Sequence, residues 1–395
     1  MRALKFREFD DVGLVPFEKL LPYLRGGFAT PEQLPAIFRH RRRGKLSKDQ
    51  AVQADLVGAP RLKPAPGDTF VYGGVLHWHF GHLIAEFVHR LWVLREPGLE
   101  NATVLFVGKK HVPQVFRDCM AYFGVSKWQV VDSPCIIERL VIAEQGKSIG
   151  ETPHPQYEAF LGSLAQENRL DDLETERRFA VLRGHLPDRR FLGEADFERF
   201  LEGEGYVPFR PEKHDLRSQL ATFLQAEEIV MSDGSACHLF DLLPRTDARV
   251  ALISRARRTD WKARDAKAVV NSIEAKCREL EVFDDTSHVA SPTRDGRQRP
   301  LGLRYVPLDR LIDFLKHHRF LREDARMTEQ PDMIADLQSY AALHLRDQIR
   351  DVDNTDELVA FLVSRLHENT LENERLKTAI AKRRGLCGLA RRILG

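Results

Sequence analysis

The chain has 395 residues, with 60 Lys plus Arg against 58 Asp plus Glu for a formal charge of +2. That length argues for two or three domains, and the near balance of charge argues against a body built to clamp nucleic acid. At 43% hydrophobic and 30% charged residues, the composition is globular rather than disordered or collagenous. No window approaches the roughly 18 apolar residues of a membrane-spanning helix, and MRALKFREFDDVG lacks the apolar stretch of a signal peptide, so a cytoplasmic location is expected. Cys119, Cys135, Cys237, Cys277 and Cys387 are widely and irregularly spaced. They fit neither a disulfide framework nor a zinc site and read as small buried hydrophobes.

The first fifty residues are mixed and close on a basic run, Arg39, Arg41, Arg42, Arg43, Lys45 and Lys48, which reads as a solvated loop face. From Phe70 short apolar runs alternate with amphipathic stretches. FVYGGV predicts a strand and turn, HLIAEFVHRLWVL a helix, ATVLFVG a strand, VPQVFRDCMAYFG a helix, and WQVV and IIERLVIAE two more strands. Thr152-Pro153-His154-Pro155, a helical stretch at Tyr157–Asn168 and the charged LDDLETERR mark a connection between domains.

A second series follows. RFAVLRG, YVPF, EIVMSDG and ARVALIS read as strands, GEADFERFLEGEG and DLRSQLATFLQAE as helices, the latter capped by Asp215, and SACHLFDLLP opens another helix. The segment Arg255–Lys267 is polar and basic, LRYVP and LDRLIDFLKHH close the unit, and beyond residue 326 the chain turns to helix formers. The fold class is therefore α/β, a pair of Rossmann-like domains over residues 51–170 and 171–325, preceded by a segment 1–50 and followed by a helical extension 326–395. Ligands of such sheets bind at the carboxyl ends of the strands.

Two constellations stand at such strand ends. GGVLHWHFGHLIAEFVHRLW holds four of the fifteen histidines. On a helix starting near Gly81, His82, Glu86 and His89 share one face, which supplies the parts of a general base and its orienting carboxylate. A structural pair capping the sheet is the plainer reading of His82 and Glu86. His77-x-His79-x-x-His82 also approaches a metal-binding HxHxDH pattern, but Gly81 stands where the Asp belongs. In the second constellation, Arg183 ends a strand and Arg189 and Arg190 follow, guanidinium forks suited to a diphosphate. Ser232-Asp233-Gly234-Ser235-Ala236 joins a strand to a helix whose first N–H groups favour an anion, with His238 three residues on. Glu212 and Gln219 are placed to bond a ribose or sugar hydroxyl, or are plain surface polarity.

In order, these motifs resemble glycosyltransferase family 61. Gly81-His82-Leu83-Ile84-Ala85-Glu86 with Arg90-Leu91-Trp92 is similar to its first motif. Arg183, Arg189, Arg190 and Glu194 match the arginines and helix-opening glutamate, Pro211-Glu212 and Gln219 the next pair, and Gly234-Ser235-Ala236 the last turn. Many relatives carry a His before that glycine, where this chain has Asp233. The resemblance covers about residues 70–250 and implies a GT-B pair of domains, residues 51–170 on the acceptor side and 171–325 on the nucleotide-sugar side. It further implies inverting transfer of a sugar to a glycan or lipid-linked acceptor, with no metal or other cofactor.

On that reading His82 is the base, with Glu86 holding it or acting in its place, and His79 and His89 lie on the acceptor side. Arg183, Arg189, Arg190, Glu212, Gln219, Asp233, Gly234, Ser235, Ala236 and His238 bind the donor. The last twenty residues carry six basic groups and no acid, an amphipathic tail that suits an anionic membrane surface, a solvated helix or pairing of chains through C-terminal helices. A non-catalytic scaffold and a metal-dependent hydrolase using His77, His79 and His82 are the rival functions.

Overall fold

The computed structural model describes residues 2–16, 26–29, 34–42, 45–46, 53–77, 79–109, 111–186, 189–254, 264–290, 293–294, 297–298, 303–329, 331–333, 336 and 339–340. The C-terminal helical extension and its basic tail, together with Arg43, Lys48, Trp78 and Cys387, lie almost wholly or entirely outside the described residues.

The first unit is built on β1 (Phe6–Val15), β2 (Gly27–Phe28), a small hairpin β3 (Arg41–Arg42) and β4 (Lys45–Leu46), β5 (Arg61–Leu62), β6 (Phe70–Val75), β7 (Thr103–Val107), β8 (Trp128–Val131) and β9 (Cys135–Ala143). Its sheet runs β2-β1-β9-β6-β7-β8 with β5 beside β9. Strands β9, β6, β7 and β8 are parallel, whereas β1 pairs antiparallel along β9 from Phe6 opposite Ala143 to Leu14 opposite Cys135. The first fifty residues therefore supply a long strand to this sheet. Its sequence, FREFDDVGLV, is apolar only in its second half and gives no clean alternation, because its first half is solvent-facing.

The second unit has β10 (Arg178–Val181), β11 (Val207–Pro208), β12 (Glu228–Ser232), β13 (Arg249–Ile253) and β14 (Glu279–Phe283), all parallel in the order β11-β10-β12-β13-β14. The chain leaves β10 in one direction for β11 and returns past it to β12. A topological switch point lies between β10 and β12, the place where doubly wound sheets open a crevice. Beyond it lie β15 (Ser287–Ala290), β16 (Thr293–Arg294), β17 (Arg297–Gln298) and β18 (Leu303–Tyr305), which form two small antiparallel pairs.

Among the described residues the helices are the single turn α1 (Phe80–His82), α2 (Gln114–Tyr122), α3 (Pro155–Glu167), α4 (Glu194–Gly203), α5 (Leu216–Leu224), α6 (Arg264–Glu274) and α7 (Leu308–His317). Asp215 caps α5 as anticipated, its Oδ1 accepting the Ser218 N–H at 2.7 Å. Helix α6 and strand β14 were not anticipated, since α6 opens inside a basic polar stretch whose first residues carry no apolar period.

Strand periodicity explains how the units join. In β7, Val104 and Phe106 face one core while Leu105 and Val107 face another; in β10, Phe179 and Val181 face the first core and Ala180 a third. The first core is common to both units. It holds Phe116 and Met120 of α2, Tyr157 and Leu161 of α3, Leu220 and Phe223 of α5, and Ile273 of α6, all sandwiched between the inner faces of the two sheets. Cys119, Cys135, Cys237 and Cys277 are buried, as expected of small hydrophobes. No helix among the described residues is long and apolar enough to cross a membrane.

Candidate active site

The first strand end is shaped by close backbone packing. Gly74 sits at φ 127° beside a register shift in β6, and a Cβ there would stand 2.5 Å from the carbonyl oxygen of Phe87. Only glycine accepts both the angle and the approach. The expected helix over HLIAEFVHRLWVL is not regular. One α turn at Phe80–His82 passes into a π turn at Leu83–Phe87 and then a 3₁₀ turn at Leu91–Arg95. All five residues of the π turn are buried, so no side faces water and the amphipathic pattern that steadies a surface helix is missing. Such π turns recur at functional sites.

His82 and Glu86 nevertheless meet: His82 Nδ1 lies 2.6 Å from Glu86 Oε1, with the imidazole side chain 29% exposed and the carboxylate 3%. The sequence gives no sign of a second neighbour, His40, whose Nε2 stands 3.9 Å from the other Glu86 oxygen and whose ring stacks on Phe87 at 5.1 Å. Gln145 ties this edge together, donating to the backbone oxygens of Arg41 and Glu86 at 3.3 and 3.4 Å. The start of the basic run thus backs onto the π turn. The rings of His77 and His79 stand 4.9 and 5.3 Å from that of His82. Burial, then the charges of His82 and His79, push His77 down to about 4. His79 is lowered by burial, by His82 and by Arg189 of the second unit. Among the described residues, no group of three or more His, Cys, Asp or Glu is arranged to hold a metal ion.

His89 is a correction. It is fully buried, its Nδ1 is 2.8 Å from the Tyr157 hydroxyl, and burial first, then Lys147, push it down to about 3. The π turn breaks the i, i+4, i+7 register, so His89 is rotated into the shared core and has no route to an acceptor.

The second constellation lies at the switch point. Arg183 follows β10 and Gly234-Ser235 follow β12. A Cβ on Gly234 would lie 3.0 Å from Arg183 Nη1, so the guanidinium passes directly over the glycine. Arg183 Nε donates to the Arg189 carbonyl at 3.2 Å. Beneath the loop, Glu194 is fully buried and accepts the Arg183 and Phe191 N–H groups at 2.9 and 3.0 Å and the Ser232 hydroxyl. Burial raises its carboxyl to about 7 despite these donors. Glu194 is the post that holds the arginine loop to the strand end. Arg190 is a second correction: it is buried, and its guanidinium is bound to Asp336 at 3.0 Å and to the Gly184 carbonyl at 3.4 Å, which turns it from the crevice.

A cavity of about 290 Å³ opens here, lined among others by Phe80, Arg183, His185, Glu212, Gln219, Gly234, Ser235 and Ala236. It gathers most of the residues expected to bind a donor. The following segment, Ser235–Leu242, is a 3₁₀ helix rather than the expected α-helix. Its interior is wholly apolar apart from Asp241, which is fully buried, ion-paired with Lys147 of the first unit, and 3.0 Å from His238 Nδ1. Lys147 also donates to Ser272 at 3.2 Å. Burial first, then Lys147, push His238 down to about 4, while Asp233 and Glu86 act in the opposite sense. Asp233, itself buried, therefore bears on His238.

The two constellations touch. A Cβ on Gly81 would lie 3.1 Å from His238 Cδ2 and 3.3 Å from Ser235 Oγ, and Phe80 lines the second unit's cavity. The His82–Glu86 pair thus stands against the arginine and glycine turn at the switch point. Residues 80–246 match the family model for glycosyltransferase 61. Over that span the chain is similar to glycosyltransferase family 61. The match supports a glycosyltransferase, and it begins at Phe80, where the two units meet, and ends at Thr246, just beyond the Lys147–Asp241 pair. No curated protein matches the chain. Of the polar residues that only the tertiary structure revealed, Asp241 had a signal, a carboxylate three residues after His238 that parallels His82 and Glu86. His40, Lys147 and His185 had none.

Proposed function

We propose that this glycosyltransferase is inverting and metal-independent, moving a sugar from a nucleotide-sugar to a glycan or lipid-linked acceptor in the building of cell-surface polysaccharide. The observation that carries the reading is the contact of Gly81 with Ser235 and His238, which sets the His82–Glu86 pair beside the crevice lined by Arg183 and Gly234. The mixed first sheet and the parallel second sheet are read as the acceptor and donor halves of a GT-B arrangement, here joined by a common core.

In the reaction, His82 Nε2 takes the proton of the acceptor hydroxyl as its oxygen bonds to the anomeric carbon from the face opposite the diphosphate. The bond to the diphosphate oxygen breaks, and that oxygen keeps the electron pair. Glu86 holds the Nδ1 proton, so the ring presents a free Nε2 and its cation is stabilised once formed. Arg183 and the N–H groups that follow Gly234 offset the charge on the leaving nucleoside diphosphate. Arg189 stands where its charge reaches His79, closing the crevice between donor and acceptor sides. The basic C-terminal tail would hold the enzyme at an anionic membrane beside a lipid-linked acceptor.

The test is release of nucleoside diphosphate from nucleotide-sugars in the presence of EDTA. Turnover that survives chelation and disappears in His82→Gln, with nucleoside diphosphate binding retained, supports the reading. Turnover that requires added metal, or a His82→Gln enzyme as active as the parent, overturns it. Flotation with anionic liposomes, comparing the full chain with one ending at Thr378, tests the tail; equal flotation removes the membrane attachment.

A further inference from the structure

The second sheet has another edge, away from the crevice. Arg178, Glu228, Arg249 and Glu279 open β10, β12, β13 and β14 and stand side by side in one register. Arg183 and Gly234 follow the carboxyl ends of β10 and β12, so the five residues of β12, about 17 Å of strand, separate the two edges. A cavity of about 920 Å³ opens at the amino ends. Among the described residues, seven arginines line it against four acids. The whole chain carries only +2, so an excess of three positive charges in one concavity departs from the overall balance, and concave walls concentrate their field.

Three of the seven are neutralised in place. Arg178 Nε and Arg249 Nη1 both donate to Glu228, at 3.0 and 2.8 Å, Arg249 Nε donates to Glu279 at 2.9 Å, and Arg322 pairs with Glu204 at 3.3 Å. Arg177, Arg245, Arg278 and Arg319 are exposed and form no ion pair with a carboxylate among the described residues; Arg177 gives one N–H to the Gln225 carbonyl at 2.8 Å. Arg319 adds a second observation. It follows α7 at φ 57°, with its own N–H bonded to the Lys316 carbonyl at 2.9 Å and the Phe320 N–H to the Leu315 carbonyl at 2.8 Å. These two bonds close a helix on a left-handed residue, a place that glycine or asparagine fills with least strain. Arg249 braces the turn by donating to the carbonyls of His318 and Arg319. The turn thus keeps a strained arginine at the cavity wall.

Guanidinium forks take carboxylates and phosphates two N–H groups at a time, and the volume is that of a ligand site rather than of one inorganic ion. We propose that this cavity is a second binding site, for a multivalent anion whose phosphate or carboxylate groups are held by Arg177, Arg245, Arg278 and Arg319. That chemistry has two sources, the carboxylates of an acidic oligosaccharide or the phosphates of a soluble polyphosphate. The site is separate from the transfer crevice and goes beyond the proposed transfer.

The test is calorimetric titration of the full chain at physiological salt with tetragalacturonate, tripolyphosphate and neutral maltotetraose. One charged ligand should bind per chain, and maltotetraose should not bind. Arg319→Asn, which suits the left-handed turn, should melt no lower than the parent yet weaken the anion about fivefold. Arg245→Gln with Arg278→Gln should weaken it by about tenfold or more, whereas Lys63→Gln, an exposed cation of the first unit, should leave it within about twofold. Tighter tetragalacturonate assigns the acidic oligosaccharide, and tighter tripolyphosphate assigns the phosphate source. The site is overturned if neither anion binds, if the arginine variants bind as the parent does, if Lys63→Gln weakens binding equally, or if Arg183→Leu alone abolishes it by placing the anion in the crevice. Each of these outcomes leaves the transferase reading to its own test of nucleoside diphosphate release.

Discussion

Two of the His–carboxylate pairs among the described residues are local in sequence and built to nearly the same plan, and their surroundings separate them. His82 and Glu86 stand four residues apart at the end of β6; His238 and Asp241 stand three apart after β12. Glu86 has a histidine on each side, and the His82 side chain remains 29% exposed. Asp241 is instead locked by Lys147 from the opposite unit, both wholly buried, and His238 is pushed down to about 4 and stays neutral near pH 7. A ring that can exchange a proton with a substrate must be reached by it and must carry charge for a moment. The first pair permits that, and the second is a bolt between the units. Chemistry here follows environment rather than residue type.

The largest effect should come from breaking the first pair. His82→Gln is expected to lower turnover by about 10²–10⁴-fold, with a melting temperature close to the parent's, measured by nucleoside diphosphate release and thermal unfolding. A comparable loss of turnover from Asp241→Asn with unchanged stability would reverse the assignment and make His238 the working ring. The expectation is otherwise: Asp241→Asn leaves a buried lysine without its counter-charge and should cost about 3–5 kcal/mol in denaturant unfolding.

Glu194 offers a third, pH-dependent comparison with Glu86. Its folded carboxyl is raised to about 7, above the unfolded value near 4.5, so the folded state binds the extra proton between these values. Stability from this group is present below about pH 4.5 and is lost as pH rises toward about 7, by about 3 kcal/mol in all. Unfolding of the parent and of Glu194→Gln across that window should diverge as the pH rises, the variant showing the flatter profile; parallel profiles would mean that the carboxyl titrates normally. The smallest effect is expected at the point of contact. Gly81→Ala forces His238 and Ser235 apart by a few tenths of an ångström and should cost about 1 kcal/mol, with a larger proportional loss of turnover than of stability if the two constellations must meet.

Much of the plan was legible in the residues. The central runs FAV of β10 and IVM of β12 are apolar without alternation because parallel strands are covered on both faces, and Asp215 capped its helix because a carboxylate ahead of an apolar period has an amide to accept. The pairing of His82 with Glu86 survived even though the helix predicted to carry it did not form regularly, since an α turn running into a π turn still brings residues four apart together. The failures have a common cause. His89 and Arg190 carry residue types suited to the crevice, but side-chain direction is set by packing: a π turn rotates the first into the core, and Asp336, 146 residues away, captures the second.

By itself, then, the sequence determined the two α/β series, the strand ends at which chemistry would sit, and the order of motifs shared with family 61, because hydrophobic period and turn chemistry act over a few residues. Tertiary structure alone decided that β1 completes the first sheet, that one core serves both units, and that Lys147 meets Asp241 and Gly81 meets His238. Those contacts join segments far apart in the chain, and no local pattern records them. They arise only when two apolar sheet faces close on the same layer of helices, which brings the charged and polar groups at the rim of that core into register.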